Sequence, residues 1–198
     1  DEARARHALR RRARRRRHPL RAVGAGRHDR VESAAEGGGR HYARIGRGPA
    51  PPDRRANAIA FDVREAGRVL REGDPLTGKI VTNPDGTPKS IPGTLKAVKA
   101  IGWYIPEYGR PQVSMNLVNL NQTPIHVAYE TAKSIAAETG TEITGSELVG
   151  LIPLQAILEA GKFYAGKEME EPELIRLAIE KLHLGELHPF LPEERMLS

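Results

Sequence analysis

The stretch GRPQVSMNLVNLNQTPIHVAYETAKSIAAETG, residues 109–140, carries two different hydrophobic periods in succession. Over 111–118 the alternation is strict: Val113, Met115 and Leu117 fall on one side, Gln112, Ser114 and Asn116 on the other, the pattern of a half-buried strand. At Thr123-Pro124 the period changes. A threonine N-cap followed by proline in the first turn starts a helix. Ile125, Ala128, Tyr129, Ala132, Ile135 and Ala136 then supply a buried stripe, and Gly140 stops it. Working outward, residues 97–105 are strand-like, and the short connection through Tyr108-Gly109 makes them an antiparallel partner of 111–118. Ala56, Ile59, Ala60, Val63 and Gly67 keep helical spacing behind Asp53, a candidate N-cap, which predicts a helix over 54–68. Between lies a loop from Val69 to Thr94 with a hairpin at Asn83-Pro84-Asp85-Gly86. Thr141–Gly145 is β-prone, and helices follow over 153–164 and 172–184. From residue 53 the order is α-β-β-α-β plus two helices, an α+β arrangement.

Charge divides the chain unevenly. Residues 1–55 hold 17 Arg, no Lys and six acidic residues, a net charge of +11, whereas the remainder carries −5. The run Arg10-Arg11-Arg12-Ala13-Arg14-Arg15-Arg16-Arg17 repels itself. Leu9, Leu20, Val23, Val31 and Ile45 follow no period, and Gly37-Gly38-Gly39 and Pro49-Ala50-Pro51-Pro52 interrupt local order. Three readings of 1–52 stay open: a disordered tail, a basic nucleic-acid-binding arm, and GC-rich DNA translated out of frame, to which arginine without lysine points. The domain organisation expected is thus 1–52, disordered or out of frame, and 53–198, folded. Cysteine is absent, which excludes disulfides and thiolate chemistry. No apolar run approaches the roughly 20 residues of a bilayer span. The chain starts at Asp1, not methionine, as an internal fragment or a processed product would.

Several consecutive blocks resemble glutamate formimidoyltransferase (formiminotransferase): Asn57 to Glu65; Leu95 through Ile101-Gly102-Trp103-Tyr104; Gln112 to Leu117; Thr123-Pro124-Ile125-His126; Thr144-Gly145-Ser146-Glu147-Leu148-Val149-Gly150-Leu151-Ile152-Pro153; and Pro189 to Arg195. The resemblance implies a ferredoxin-like βαββαβ subdomain, the C-terminal one of two in tandem, with tetrahydrofolate and formiminoglutamate bound between them. It implies transfer of the formimino group from N-formimino-L-glutamate to tetrahydrofolate in histidine breakdown, by a cytoplasmic homo-oligomer that needs neither membrane nor nucleic acid. In that frame 53–198 lacks its first strand, since an apolar run is replaced by Gly46-Arg47-Gly48-Pro49-Ala50-Pro51-Pro52. His41-Tyr42-Ala43-Arg44-Ile45 is the imperfect substitute on offer. The family's catalytic histidine belongs to the N-terminal subdomain, which is absent. His18-Pro19 lacks the flanking residues and does not inherit the role, so no catalytic residue is assigned and the fragment is expected to be inactive alone.

The family's folate-binding stretch maps onto Arg55, Ala56, Asn57, Ala58, Ile59, Ala60, Phe61, Asp62 and Val63, with a further contact at Pro153. Helical spacing alone makes Ile59, Ala60 and Val63 core. Asn116, with Gln112 and Ser114, forms a polar strand face that would line the groove between subdomains or simply meet water. Gly145 and Ser146, with Glu147, are expected to make a turn whose free N–H groups meet a carboxylate of the folate. Trp103 and Tyr104 read as packing more than as pteridine-stacking residues, and His126, off the stripe, reads as surface. Glu168, Glu170, Glu171 and Glu173 flank Pro172 with no histidine at metal-ligand spacing, so no metal is expected.

Overall fold

The computed structural model describes residues 40–46, 48, 51–106, 109–186 and 188–197. The Arg10–Arg17 run, His18, the Gly37–Gly39 triplet and the other readings on 1–39 lie outside them. Four strands form one antiparallel sheet: β1 (Arg40–Ile45), β2 (Val98–Ile105), β3 (Arg110–Leu117) and β4 (Ile143–Val149), in the order β2-β3-β1-β4. Helix α1 (Pro52–Val63) joins β1 to β2, and α2 (Ile125–Glu138) joins β3 to β4. Helices α3 (Leu154–Ala165) and α4 (Glu171–Lys181) follow.

The expected absence of a first strand is therefore corrected. Arg40–Ile45 is an inner strand, paired with β3 from Arg40↔Asn116 to Arg44↔Gln112 and with β4 from Arg40↔Val149 to Ile45↔Ile143. The physical reason is local. His41, Ala43 and Ile45 alternate with Tyr42 and Arg44, so three fully buried residues point to the helices while the polar pair points away. A six-residue segment with two-sided ladders also satisfies backbone groups that β3 and β4 would otherwise leave unpaired.

The core lies between the sheet and α1 and α2. Ala43, Val113, Met115 and Leu117 meet Ala56, Ile59, Ala60 and Val63 from α1 and Ile125, Ala128, Tyr129 and Ala132 from α2. The α1 backbone rests on β2 at Gly102, where a Cβ would come 2.2 Å from the Ala56 carbonyl carbon. Helix α1 is shorter than the predicted 54–68. Arg64 turns to extended backbone, and Gly67, counted in the stripe, sits at φ +62° with no room for a side chain against Ile91 O. Neither predicted cap acts as one. Pro51 and Pro124 occupy the N-cap positions. Asp53 lies in the first turn, and the Thr123 hydroxyl instead donates to Lys96 O (2.6 Å), tying the α2 entrance to the loop before β2. Gly140, at φ +73°, ends α2 as expected. The 68–91 segment is a twisted pair of two-stranded ribbons (68–69 with 90–91, 71–72 with 79–80), and its tip is the predicted hairpin, with Gly86 N donating to Asn83 O (2.9 Å).

Among the described residues one polar position has no exposure at all. His41 is fully buried, edge-on to the Tyr129 ring at 5.8 Å, and neither ring nitrogen has a partner. Burial lowers its pKa from 6.5 to about 4. Between those values the unfolded chain binds the proton that the native state refuses, so stability falls as the pH drops from about 6.5 to about 4 and is unaffected above. The shift corresponds to roughly 3 kcal/mol. The His41→Leu variant is expected to lose most of that acid-limb slope in urea melts taken from pH 7 to pH 4. An unchanged slope would show that His41 is not sealed in the core. Ala43→Pro removes a ladder donor from the inner strand and should cost more than the roughly 1–3 kcal/mol of one orphaned buried group, read as a lower urea midpoint.

Candidate functional site

Helices cover one face of the sheet; among the described residues no helix or strand covers the other, called the open face below. Because side chains alternate, the register places Trp103, Gln112, Arg44 and Gly145 in one row across all four strands of the open face, and Ile101, Ser114, Tyr42 and Glu147 in the next. Trp103 is 44% exposed and stacks on Tyr42, with centroids 6.1 Å apart and planes within 13°. Tyr104 is likewise exposed. Trp103 and Tyr104, read from sequence as packing residues, are both partly exposed, because edge strand β2 has a cross-strand neighbour on one side only.

Gln112, by contrast, is 1% exposed, and its amide nitrogen has no hydrogen-bond partner. The Arg44 Nη2 donates to Glu186 Oε2 (3.0 Å), while its buried Nε is unpartnered. The other Glu186 oxygen lies 3.0 Å from His183 Nδ1. The absence of a side chain at Gly145 leaves room for this pair, since a Cβ there would meet both the Glu186 carboxylate and the Arg44 guanidinium and displace them. The open face thus combines a stacked aromatic pair, a buried amide with a spare donor, and a guanidinium held by a carboxylate. Such a set suits a planar, hydrogen-bonding ring carrying negative charge.

The residues expected from sequence are not gathered in one place. Asn116 is exposed on the open face with Gln112 and Ser114. Gly145 joins that face, but Ser146 points the other way, with its hydroxyl donating to Leu182 O and its N–H to His183 O (3.3 Å). The predicted Gly145–Glu147 turn is corrected to strand, because β1 supplies the ladder that holds 143–149 extended. On α1, Arg55, Ala56, Ile59, Ala60 and Val63 are buried, whereas Asn57, Ala58, Phe61 and Asp62 are half-buried. Their polar groups are engaged within the chain: Asn57 Nδ2 donates to Asp53 O (3.0 Å), and Asp62 pairs with Arg68 (2.6 Å). Arg64 lies over the Phe61 ring at 4.3 Å.

Arg55 donates to Gly48 O (3.0 Å) and Gly46 O (3.3 Å), and it lines a polar cavity of about 540 Å³ with Tyr104, Arg110, Glu142 and Thr144. Pro153 precedes α3 and pairs with Leu197. It follows the Val149 end of β4, whereas Arg55 lies beyond the Ile45 end of β1, so a strand length of roughly 17 Å separates the two.

His126 is corrected from surface to buried: Phe163 of α3 stacks on it at 4.6 Å. Desolvation lowers its pKa although Glu159 and Glu130 pull the other way. Among the described residues no group of His, Asp or Glu is placed to hold a metal ion, and no helix is long and apolar enough to cross a membrane. Sequence reasoning did not single out Tyr42, Arg44 or Glu186. The alternation within His41–Ile45 was the available signal for the first two. Glu186 had none, because only the turn after α4 brings it over Gly145.

A helix-backed antiparallel sheet whose second face is aromatic and polar defines a two-layer α+β fold. The comparison with known families says which. The formiminotransferase domain matches residues 51–198, and the chain belongs to that family. It is 40% identical over 147 residues to the formimidoyltransferase-cyclodeaminase of Rattus norvegicus and 40% identical over 147 residues to that of Dictyostelium discoideum, each match covering 72% of this chain and 24% of the relative. The glutamate formimidoyltransferase of Thermoplasma acidophilum is 40% identical over 72 residues, 36% of this chain and 24% of that protein. The chain therefore spans about a quarter of the length of these curated relatives.

Proposed function

We propose that this chain is the C-terminal, ferredoxin-like lobe of a glutamate formimidoyltransferase, which binds tetrahydrofolate while the formimino group passes to it from N-formimino-L-glutamate. The family match over 51–198 carries the reading, and the strand order with both crossover helices on one face supports the ferredoxin-like assignment. The open face is the natural place for the folate. The Trp103–Tyr42 pair offers a stacking surface for a pterin or aminobenzoyl ring. Gln112 offers its spare N–H and Arg44 a positive charge, and Asn116 and Gly145 belong to the same face. Residues Arg55–Val63 and Pro153 would meet the ligand only at its ends, through the α1 entrance and the α3 entrance.

In the reaction a secondary amine attacks an amidine carbon, a tetrahedral intermediate forms, and protons leave the folate nitrogen and reach the departing glutamate nitrogen. A group titrating near neutrality suits both transfers. Neither His41 nor His126 is available for this, since one is enclosed in the core and the other lies beneath Phe163. The role of this lobe is to bind and orient, and the proton transfers fall to a companion lobe. On this reading the intact enzyme is a cytoplasmic homo-oligomer of histidine degradation. The alternative, a nucleic-acid-binding module acting through the arginine-rich segment, has no support in the described residues or the relatives.

Trp103 is the sole tryptophan, so its fluorescence reports on the open face directly. Adding 5-formyltetrahydrofolate should quench it saturably. Gln112→Ala should weaken binding by roughly tenfold, the value of one hydrogen bond to a buried donor. No quenching, or quenching indifferent to Gln112, would defeat the assignment. Incubated alone with formiminoglutamate and tetrahydrofolate, the chain should release no glutamate.

A further inference from the structure

Where the chain leaves α1 and later enters β2, a cavity of about 510 Å³ opens that shares no residue with the proposed folate surface. Its walls are short apolar side chains, Ala97, Val98, Ala100 and Val118. Three hydrogen bonds hold these walls. Glu65 N donates to Val98 O (2.9 Å), Val118 N to Ala97 O (2.8 Å), and Ala97 N to Glu65 Oε2 (2.8 Å). Ala97 itself sits at φ +52°, a left-handed conformation that an L-alanine enters only at a cost. The bonds at its N–H and its carbonyl keep it there, so the cavity is preformed and its outline fixed.

The lining is unevenly charged. Among the described residues Glu65 is its one carboxylate, and both oxygens are engaged, Oε2 by Ala97 N and Oε1 by Lys96 Nζ (3.7 Å). Arg64 and Lys99 also line the cavity. Arg64 is held without being neutralised: its Nε donates to Gly67 O (2.9 Å), and its guanidinium lies 4.3 Å from the Phe61 ring centroid. Among the described residues neither Arg64 nor Lys99 pairs with a carboxylate. Apolar walls beside two uncompensated cations match one kind of occupant. A neutral hydrocarbon would leave the cations unused, and a sugar would find no hydrogen-bonding wall. We propose that the cavity binds a small aliphatic monocarboxylate, its hydrocarbon body against Ala97, Val98, Ala100 and Val118 and its carboxylate toward Arg64 and Lys99. The proposal uses none of the residues assigned to folate and stands independently of that assignment.

The full chain should enhance the emission of 8-anilinonaphthalene-1-sulfonate, an apolar anion, saturably, and octanoate should displace it. 1-Octanol, alike in body but uncharged, should compete at least about tenfold less well. Lys99 is exposed on the edge strand. Lys99→Glu should therefore leave the circular dichroism spectrum unaltered and weaken octanoate about five- to tenfold. Ala100→Phe, which fills the cavity, should abolish displacement by octanoate. Saturating 5-formyltetrahydrofolate should leave octanoate binding unchanged, which separates this site from the open face. Failure of octanoate to displace the probe, octanol as effective as octanoate, indifference to Lys99→Glu, or competition by 5-formyltetrahydrofolate would each overturn the proposal.

Discussion

The structure depends on the two-sided hydrogen bonding of Arg40–Ile45. Its two neighbours lean on it directly: β3 and β4 are held at their spacing because β1 lies between them, paired residue by residue on both sides. That spacing sets the distance between the two helices behind the sheet and the width of the face in front. An inner strand also has no solvent to turn to. Its backbone groups are satisfied by neighbours or not at all, so β1 is the element whose loss the fold would feel most.

The same strand builds the site from behind. His41, Ala43 and Ile45 fill the core, whereas Tyr42 and Arg44 complete the aromatic and charged features of the open face. Arg44 is nearly buried there, and a buried guanidinium requires a counter-charge. Glu186 supplies it from the turn after α4, reaching across Gly145, where any side chain would intervene. Core packing and the open face are therefore two sides of one ladder, and the turn after α4 reaches that face through Glu186.

Family membership and geometry reinforce each other at different points of the chain. The match begins at residue 51, just after the strand on which the geometry turns. The open face draws on both regions: Trp103, Gln112, Asn116 and Gly145 from the matched part, Tyr42 and Arg44 from before it. Neither source alone would have assembled that face.

Periodicity in the sequence was enough to find β2, β3, α2 and the last two helices, because a half-buried strand or helix writes its buried side into every second or every third and fourth residue. Val113, Met115 and Leu117 against Gln112, Ser114 and Asn116 is such a case, and the polar face it defined is the open one. Helix ends were less legible, since Thr123 and Asp53 are good caps in isolation and only the neighbouring backbone decided that Thr123 would bond Lys96. His41–Ile45 was visible only as an imperfect substitute, because five residues amid glycine and arginine carry little periodic signal. What makes them a strand is the pair of unpaired edges presented by β3 and β4. Which residues share the open face, that Ser146 turns from Gly145's side, and that Glu186 meets Arg44 were decided by tertiary structure alone, for the physical reason that cross-strand register and a returning turn join residues about a hundred or more positions apart.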